Sequence, residues 1–255
     1  MMLTPETKIR LLRDYRQADN RLLLLDYDGT LVPFFERPEE ARPGKELLDL
    51  LERLAAVAKN ELVLLSGRDK GTLEGWFHTV NLSLVAEHGA WVKENQWEML
   101  EPLAKDWKEQ IRPVLELCAK KTPGAFVEEK QFSLVWHYRK AEPELSAERV
   151  RELIEELTDR IANLGLQILE GNKVVEVRNS GINKGRAALR WIEREQWDFL
   201  LAIGDDRTDE DMFEVLPQHA YSLKVGLGPS AAKYNLESQV EVLPLLEGLI
   251  SRGMT

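Results

Sequence analysis

Two aspartates, Asp26 and Asp28, follow the apolar run Leu22–Leu25 directly and precede Gly29. Residues i and i+2 of an extended segment point to the same side, so these carboxylates can converge on one ligand at the carboxyl end of a strand. Gly29 allows the chain to turn sharply there. Taken alone, the pattern is also compatible with a surface Asp-Gly turn that carries a solvated acid.

A second polar segment, Ser66-Gly67-Arg68, follows the run Glu61–Leu65. It combines a hydroxyl, a glycine whose N–H a phosphate can approach closely, and an arginine that can bind an oxyanion through two hydrogen bonds. This composition predicts an oxyanion site. By itself it is equally typical of a helix N-cap and turn.

Lys184 stands at the beginning of a predicted helix, in Gly181-Ile182-Asn183-Lys184-Gly185. A cation near a helix N-terminus interacts unfavourably with the helix dipole, so the residue is slightly out of place for stability. That anomaly favours a functional role. The alternative is a solvated surface lysine.

The segment Gly204–Phe213 contains five acids in seven residues after the apolar run Phe199–Ile203. Carboxylates at this density repel one another unless a cation or basic groups lie between them. A hard cation bound through oxygen ligands explains the cluster, and Mg²⁺ is the leading candidate. The alternative is acidic helix capping by Asp205, Asp206 and Thr208.

Short apolar runs that end in polar, glycine-containing turns must position these residues. Such continuous runs are typical of strands buried on both faces, and the helical patterns between them imply a parallel sheet flanked by helices. The fold class is therefore α/β with a Rossmann-like parallel core. The runs are Leu22–Leu25, Leu62–Leu65, Leu82–Ala86 and Phe199–Ile203.

The middle of the chain has a different pattern. Strand-like stretches at Gln131–Arg139 and Leu166–Arg178 flank a helical pattern, without the sharp endings of the other strands. This predicts an inserted α+β cap domain at residues 104–180 within a core formed by residues 1–103 and 181–255. Turn-rich Asn179-Ser180-Gly181 closes the insertion.

Composition excludes several classes of protein. The chain has 255 residues, 44% of them hydrophobic, with 34 Lys and Arg against 44 Asp and Glu for a formal charge of −10. It can bury a substantial core, and its net acidity argues against binding to nucleic acid or anionic lipid by bulk charge. An anionic substrate must therefore be attracted locally.

The location of the protein is expected to be cytoplasmic. Its one cysteine, Cys118, cannot form an intramolecular disulfide, and its spacing from Val114 and Leu117 predicts one apolar helix face with a core thiol. No apolar run approaches the roughly 20 residues of a membrane helix. Charges stand in Met1–Arg10 where a signal peptide would be apolar.

Taken together, these segments resemble the four motifs of the haloacid dehalogenase-like phosphatase superfamily in order and context. From about residue 20 to 245 they are more specifically similar to the trehalose-6-phosphate phosphatase family. The Thr-Asp-Glu-Asp-Met-Phe continuation of the acidic segment is typical of this family and its sugar-phosphatase relatives. The segments that carry the resemblance are Leu25–Leu31, Ser66–Arg68, Glu87-His88-Gly89, Val175–Arg178 with Lys184-Gly185, and Gly204–Phe213.

The resemblance implies a Mg²⁺-dependent phosphatase that acts through an aspartyl-phosphate. Asp26 would be the nucleophile, and Asp28 the acid and base for the leaving sugar and the attacking water. Mg²⁺ would be bound by the Asp26 carboxylate, the main-chain carbonyl of Asp28, and Asp205. Four further residues have implied supporting roles. Lys184 and Ser66 would contact the phosphoryl oxygens, and Asp206 and Asp209 would support the metal-bound waters and Lys184.

The same resemblance implies a sugar phosphate as substrate, with its sugar held by the cap. Carboxylates that accept from hydroxyls and cations that donate to them suit a polyol such as a disaccharide. This chain has Asn172 where family members often carry Lys. Whether the neighbouring Lys173 contacts the sugar in place of that Lys is open. The implied substrate-binding residues are Gly67, Arg68, Glu87, His88, Glu128, Lys130, Arg139 and Glu176, whereas His78, His137 and His219 are expected to be structural or exposed.

Three alternatives remain open from the sequence. One is a related capped phosphatase for sucrose phosphate or for glucosyl or mannosyl phosphoglycerate. Another is a phospho-accepting receiver module, although that fold is about half as long and its acceptor Asp lies on a middle strand. The third is a regulatory domain of a larger protein, because Arg10–Arg16 resembles the lead-in to the phosphatase part of fusions with a trehalose-6-phosphate synthase module.

Overall fold

The four apolar runs form neighbouring strands of one sheet. The structure, a computed structural model, describes residues 1–35, 37–100 and 102–251. Its strands are β1 (Arg21–Asp26), β2 (Asn60–Leu65), β3 (Ser83–Ala86), β4 (Trp91–Lys93), β5 (Trp97–Met99), β6 (Phe126–Glu129), β7 (Ser133–His137), β8 (Leu166–Gly171), β9 (Val174–Asn179), β10 (Phe199–Gly204), β11 (Tyr221–Val225) and β12 (Tyr234–Leu236).

Helices alternate with these strands. They are α1 (Pro5–Gln17), α2 (Lys45–Ala55), α3 (Lys70–Phe77), α4 (Lys108–Lys120), α5 (Pro143–Ile161), α6 (Lys184–Ile192), α7 (Arg207–Glu214) and α8 (Val242–Ile250). In the residues so described, no helix is both long enough and apolar enough to span a membrane.

The chain divides into two compact units. Met1–Leu100 and Asn183–Thr255 form the first unit, and Glu101–Ile182 forms the second. The sequence analysis assigned a catalytic role to the core range and a specificity role to the cap range, and these two roles stay predictions. Together the two ranges include the undescribed residues Glu36, Glu101 and 252–255.

Within the described residues, the first unit contains an eight-stranded sheet in the order β12-β11-β10-β1-β2-β3-β4-β5. The strands from β12 to β3 pair in parallel, and β4 and β5 add an antiparallel edge. Leu22 and Leu24 of β1 belong to a core cluster that includes Trp191 of α6 and Met212 of α7. The parallel sheet flanked by helices confirms the predicted α/β class.

The second unit, as far as it is described, contains an antiparallel sheet in the order β6-β7-β9-β8. One face of this sheet packs with α4 and α5 through a core cluster that includes Leu134, Trp136, Val175 and Val177. This is the α+β unit that the middle of the sequence predicted.

One detail of the predicted helix face is wrong. Val114 and Cys118 are buried, but Leu117 is 50% exposed. Each helical residue advances by about 100°, so the face of α4 is centred on Ile111, Leu115 and Cys118, and Leu117 lies beyond its edge. Cys118 is a buried free thiol, as predicted.

Candidate active site

Four neighbouring parallel strands deliver polar residues to one edge of the first unit's sheet. Asp26 is the last residue of β1, while Ser66, Glu87 and Asp205 directly follow β2, β3 and β10. Since carboxyl ends of parallel strands meet at one edge, residues far apart in the chain become neighbours. The strand-end positions that the sequence analysis used therefore lie at a common edge.

An acidic cluster forms at the centre of this edge. Asp26, Asp205 and Asp209 each have a carboxylate oxygen within 4.8 Å of the others. Asp26 is 4% exposed and Asp209 is fully buried. The close approach of three carboxylates requires nearby positive charge.

Lys184 supplies one such charge. Its ammonium group donates to Asp26 Oδ1 at 2.6 Å and to Asp209 Oδ1 at 2.8 Å, and the side chain is buried. The carboxylates raise its pKa well above the ordinary lysine value, although burial alone would lower it. This pairing accounts for a cation in the first turn of α6, where the helix dipole disfavours one.

Asp209 is held on both of its oxygens. Oδ1 accepts from Lys184, and Oδ2 accepts from the backbone N–H groups of Asp205 and Asp206 at 2.9 Å and 3.1 Å. Asp206 caps α7 by accepting from the backbone and hydroxyl of Thr208. Asp206 and Asp209 therefore form a capping box at the start of α7, and Asp209 in addition orients Lys184.

The residues of this cluster fit a divalent cation. If Asp26, Asp205, Asp206 and Asp209 were all ionised, their four negative charges would face one positive charge on Lys184. In the described part of the chain, the buried Oδ2 of Asp26 has no hydrogen-bond partner. Burial, with repulsion from neighbouring aspartates, raises the pKa of Asp26 to about 8 and that of Asp205 to about 7. A hard cation with oxygen ligands would relieve this repulsion.

We predict that the metal-free protein loses stability as pH rises from about 4 to 8. Asp26 and Asp205 have pKa values of about 8 and about 7 in the folded chain against 3.8 ordinarily. The folded chain therefore retains protons that the unfolded chain releases over this range, and raising the pH favours unfolding. Urea unfolding at several pH values, with EDTA and with Mg²⁺, measures the effect.

The comparison with Mg²⁺ isolates the acidic cluster from the other titrating groups. We expect Mg²⁺ to stabilise the chain most at the upper end of this pH range, and Asp205→Asn to weaken both the pH-dependent loss and the Mg²⁺ effect. An equal pH dependence with and without Mg²⁺ would show that the cluster does not hold the cation.

Asp28 has a different environment from Asp26. Arg68 holds its carboxylate through two hydrogen bonds, from Nε at 2.8 Å and Nη2 at 2.6 Å. The same guanidinium donates to the carbonyl of Pro38 at 2.7 Å and lies 4.6 Å from the centroid of the Trp76 ring. Arg68, which the sequence analysis assigned to the substrate, is thus the side chain that orients Asp28 in this structure.

Gly29 lets the first motif approach Asp205. Its φ is +87°, and a Cβ there would overlap the Asp205 carboxylate. Thr30 is fully buried and its hydroxyl donates to Asp205 Oδ1 at 3.4 Å. Thr30 was not among the predicted site residues, although its place directly after Asp-Gly was a signal for it.

The Ser66 and Glu87 segments are tied to each other. The backbone N–H of Glu87 donates to the Arg68 carbonyl, and that of His88 to the Ser66 carbonyl, both at 2.9 Å. Ser66 Oγ accepts from the backbone of Arg68 at 3.1 Å. A Cβ on Gly67 would overlap the His88 ring, so a larger residue there would displace His88.

Glu87 and His88 have left-handed backbones, with φ of 47° and 57°. Such conformations are uncommon outside glycine and cluster at functional sites. The structure thus brings Ser66, Gly67, Glu87 and His88 to the same edge of the sheet. The conformation itself has no signal in the sequence.

The remaining predicted residues lie in the second unit. Glu128 on β6 and Glu176 on β9 both pair across from Val135 of β7, so they lie in one row on one face of that sheet. Lys130 follows β6 by one residue. Arg139 donates to the main-chain carbonyl of Asn172 at 2.8 Å. Asn172 is the position where family members often carry Lys, but this contact uses only its main chain.

Comparison with known proteins gives the same assignment as the motifs. The family model for trehalose-phosphatase matches residues 24–240. A bifunctional trehalose-6-phosphate synthase/phosphatase of Thermoproteus tenax is 43% identical over 242 residues, 94% of this chain. A trehalose-phosphatase of Schizosaccharomyces pombe is 39% identical over 226 residues, 84% of this chain.

Solved structures agree. The C-terminal domain of C. albicans trehalose-6-phosphate phosphatase matches with a TM-score of 0.90 at 31% identity, covering 95% of this chain and 96% of that one. The chain spans 33% of the Thermoproteus relative and 27% of the Schizosaccharomyces relative. By motif, fold and family match, the chain belongs to the trehalose-phosphatase family.

Proposed function

We propose that the chain hydrolyses trehalose 6-phosphate to trehalose and phosphate through an aspartyl-phosphate at Asp26. The cluster of Asp26, Lys184, Asp205 and Asp209 carries the proposal, since it combines a carboxylate that can attack phosphorus, a cation, and carboxylates that could hold a metal ion. Hydrolysis of phosphate monoesters is among the slowest uncatalysed reactions in water, and an anionic nucleophile is repelled by the phosphate. Positive charge at the site is therefore essential.

Two displacements follow from this arrangement. In the first, the Asp26 carboxylate attacks phosphorus, the bond from phosphorus to the sugar oxygen breaks, and Asp28 gives that oxygen a proton. In the second, Asp28 takes a proton from water, which attacks phosphorus and returns Asp26 as a carboxylate with release of phosphate. The two hydrogen bonds from Arg68 hold the ionised form of Asp28, which is the form that takes the proton from water in the second displacement.

Mg²⁺ is the cation that we assign to this site. The Asp26 carboxylate, the Asp28 main-chain carbonyl and Asp205 would hold it, and it would supply positive charge to the phosphate oxygens. Lys184 adds a second positive charge at Asp26. Ser66 and the backbone at Gly67 donate hydrogen bonds to the phosphoryl oxygens in this proposal.

The sugar is assigned to the second unit. Glu128, Lys130, Arg139 and Glu176 combine carboxylates that accept from hydroxyls with cations that donate to them, which suits a disaccharide better than a single ring. Similarity to a bifunctional relative supports a trehalose-6-phosphate synthase module as partner. The Thermoproteus protein is named as both a synthase and a phosphatase.

A substrate panel tests this function. Phosphate release should be faster from trehalose 6-phosphate than from glucose 6-phosphate, sucrose 6-phosphate or glucosyl 3-phosphoglycerate. The contrast with glucose 6-phosphate follows from the missing second ring, which deprives the sugar-binding groups of their ligand. A preference for sucrose phosphate or a phosphoglycerate would assign the chain to a different sugar, and no release from any of them would favour a regulatory domain.

Glu128→Ala is expected to lower kcat/KM for trehalose 6-phosphate by a factor of about ten or more, because it leaves polar partners of the sugar unpaired. Hydrolysis of p-nitrophenyl phosphate should be unchanged. Glu155→Ala, at an exposed acid on α5 of the same unit, is the matched control. Equal losses on both substrates would remove Glu128 from the sugar site.

A further inference from the structure

An aromatic pair lies on the sheet of the second unit. The rings of Phe126 on β6 and His137 on β7 stack with centroids 4.5 Å apart and planes 6° from parallel. They are direct cross-strand partners. Phe126 is 50% exposed, so the described chain covers only part of its ring surface.

The pair shares a sheet face with Glu128 and Glu176. Side chains two positions apart along a strand point to the same face, which places Phe126 beside Glu128 and His137 beside Val135. Val135 pairs with Glu128 on one side and with Glu176 on the other. The opposite face carries Leu134 and Trp136 and packs with the helices. The aromatic pair is therefore not part of that helix-packed core.

His137 orients Glu128. Its Nε2 lies 2.7 Å from Glu128 Oε2. Burial alone would raise the pKa of Glu128, but the hydrogen bond from His137 and the charge of Lys130 hold it below the ordinary value. Glu128 is therefore an ionised hydrogen-bond acceptor with one oxygen fixed by His137.

We infer that Phe126 stacks against a sugar ring and that His137 is the residue that positions Glu128 beside it. A pyranose has an apolar face of C–H groups and a rim of hydroxyls, so its ligand site needs a flat apolar surface next to a fixed hydrogen-bond acceptor. Phe126 and Glu128 supply these two features side by side. The inference rests on the proposed function and adds two residues that determine sugar specificity.

Phe126→Ala tests the stacking contact. We expect KM for trehalose 6-phosphate to rise by up to about tenfold, since the variant removes the flat apolar surface that the sugar ring contacts. The kcat and the hydrolysis of p-nitrophenyl phosphate should stay near wild type, and Phe126→Trp should restore KM. Leu117→Ala, at an apolar side chain of the same unit that is equally 50% exposed, is the matched control.

A direct binding readout separates this inference from the proposed function. Saturation-transfer NMR of trehalose with the full chain should show contact that Phe126→Ala removes and Leu117→Ala retains. If wild type hydrolyses trehalose 6-phosphate but Phe126→Ala changes neither KM nor this signal, stacking is overturned. If wild type does not hydrolyse it, the proposed function fails, and the trehalose signal still decides the stacking.

A double-mutant cycle tests the role of His137. If His137 acts through Glu128, then His137→Ala should raise KM for trehalose 6-phosphate, but should add nothing in the Glu128→Ala background. His137→Gln, which retains a donor N–H, should restore most of the loss. A His137→Ala effect of equal size in both backgrounds, or no recovery with Gln, would reduce His137 to a structural residue and overturn its positioning role.

Discussion

Asp26→Asn is expected to lower kcat for trehalose 6-phosphate by a factor of about 10⁴ or more, as is typical when a catalytic nucleophile is removed. The amide has almost the same volume as the carboxylate but cannot attack phosphorus. Single-turnover phosphate release, followed over hours, measures the loss. p-Nitrophenyl phosphate should be affected as strongly, because every substrate needs the nucleophile.

The fold of the Asp26→Asn variant should remain intact. Lys184 retains Asp209 at 2.8 Å, and the amide oxygen can still accept from it. Removing one negative charge also reduces the repulsion that raises the pKa of the buried Asp209. In EDTA at pH 8 the variant should therefore unfold at a urea concentration no lower than wild type.

The exposed change Asp49→Asn in the same unit is the control for the amide substitution, and it should leave both rate and stability unchanged. Near wild-type kcat for Asp26→Asn would mean that another residue is the nucleophile. Loss of activity with loss of fold would instead mean that Asp26 acts mainly in the structure of the buried cluster.

Asp28→Asn should produce the next largest effect, a loss of about 10²–10⁴ in the rate of phosphoryl transfer from trehalose 6-phosphate. The variant removes the group that gives a proton to the sugar oxygen. The loss should be much smaller with p-nitrophenyl phosphate, whose leaving group barely needs a proton. Single-turnover phosphorylation of the enzyme by each substrate measures this difference.

Two features of the structure keep the Asp28→Asn test interpretable. The substitution retains the main-chain carbonyl assigned to Mg²⁺, so stabilisation by Mg²⁺ should persist. Arg68 also keeps its contacts with the Pro38 carbonyl and the Trp76 ring, which should hold the guanidinium in place. Equal losses for the sugar and aryl substrates would contradict the acid role of Asp28.

Local patterns in the sequence determined the fold class and the positions of the chemical groups. Apolar runs of strand length identified β1, β2, β3 and β10, because strands buried on both faces need continuous apolar sequence. Polar residues at the ends of such strands must meet at one sheet edge, so the convergence of Asp26, Ser66 and Asp205 followed from topology alone. Family motifs supplied the roles, which remain for the experiments above to test.

Tertiary structure decided which charged groups pair. Lys184 and Arg68 are both cations near acidic motifs, yet Lys184 binds Asp26 and Asp209 while Arg68 binds Asp28. Nothing in their local sequence distinguishes these outcomes. Pairing depends on distances between segments up to 158 positions apart, and these are set by packing of the whole sheet.

Tertiary structure also decided two further features. These are the backbone conformation of Glu87 and His88, and the contact of His137 with Glu128. A left-handed backbone at a non-glycine residue has an intrinsic cost, and surrounding contacts must hold it. The pair of His137 and Glu128 depends on the register between β6 and β7, which places Phe126 opposite His137. Periodicity predicts that a strand exists and which face it buries, but the partner of each exposed side chain is determined by the neighbouring strand.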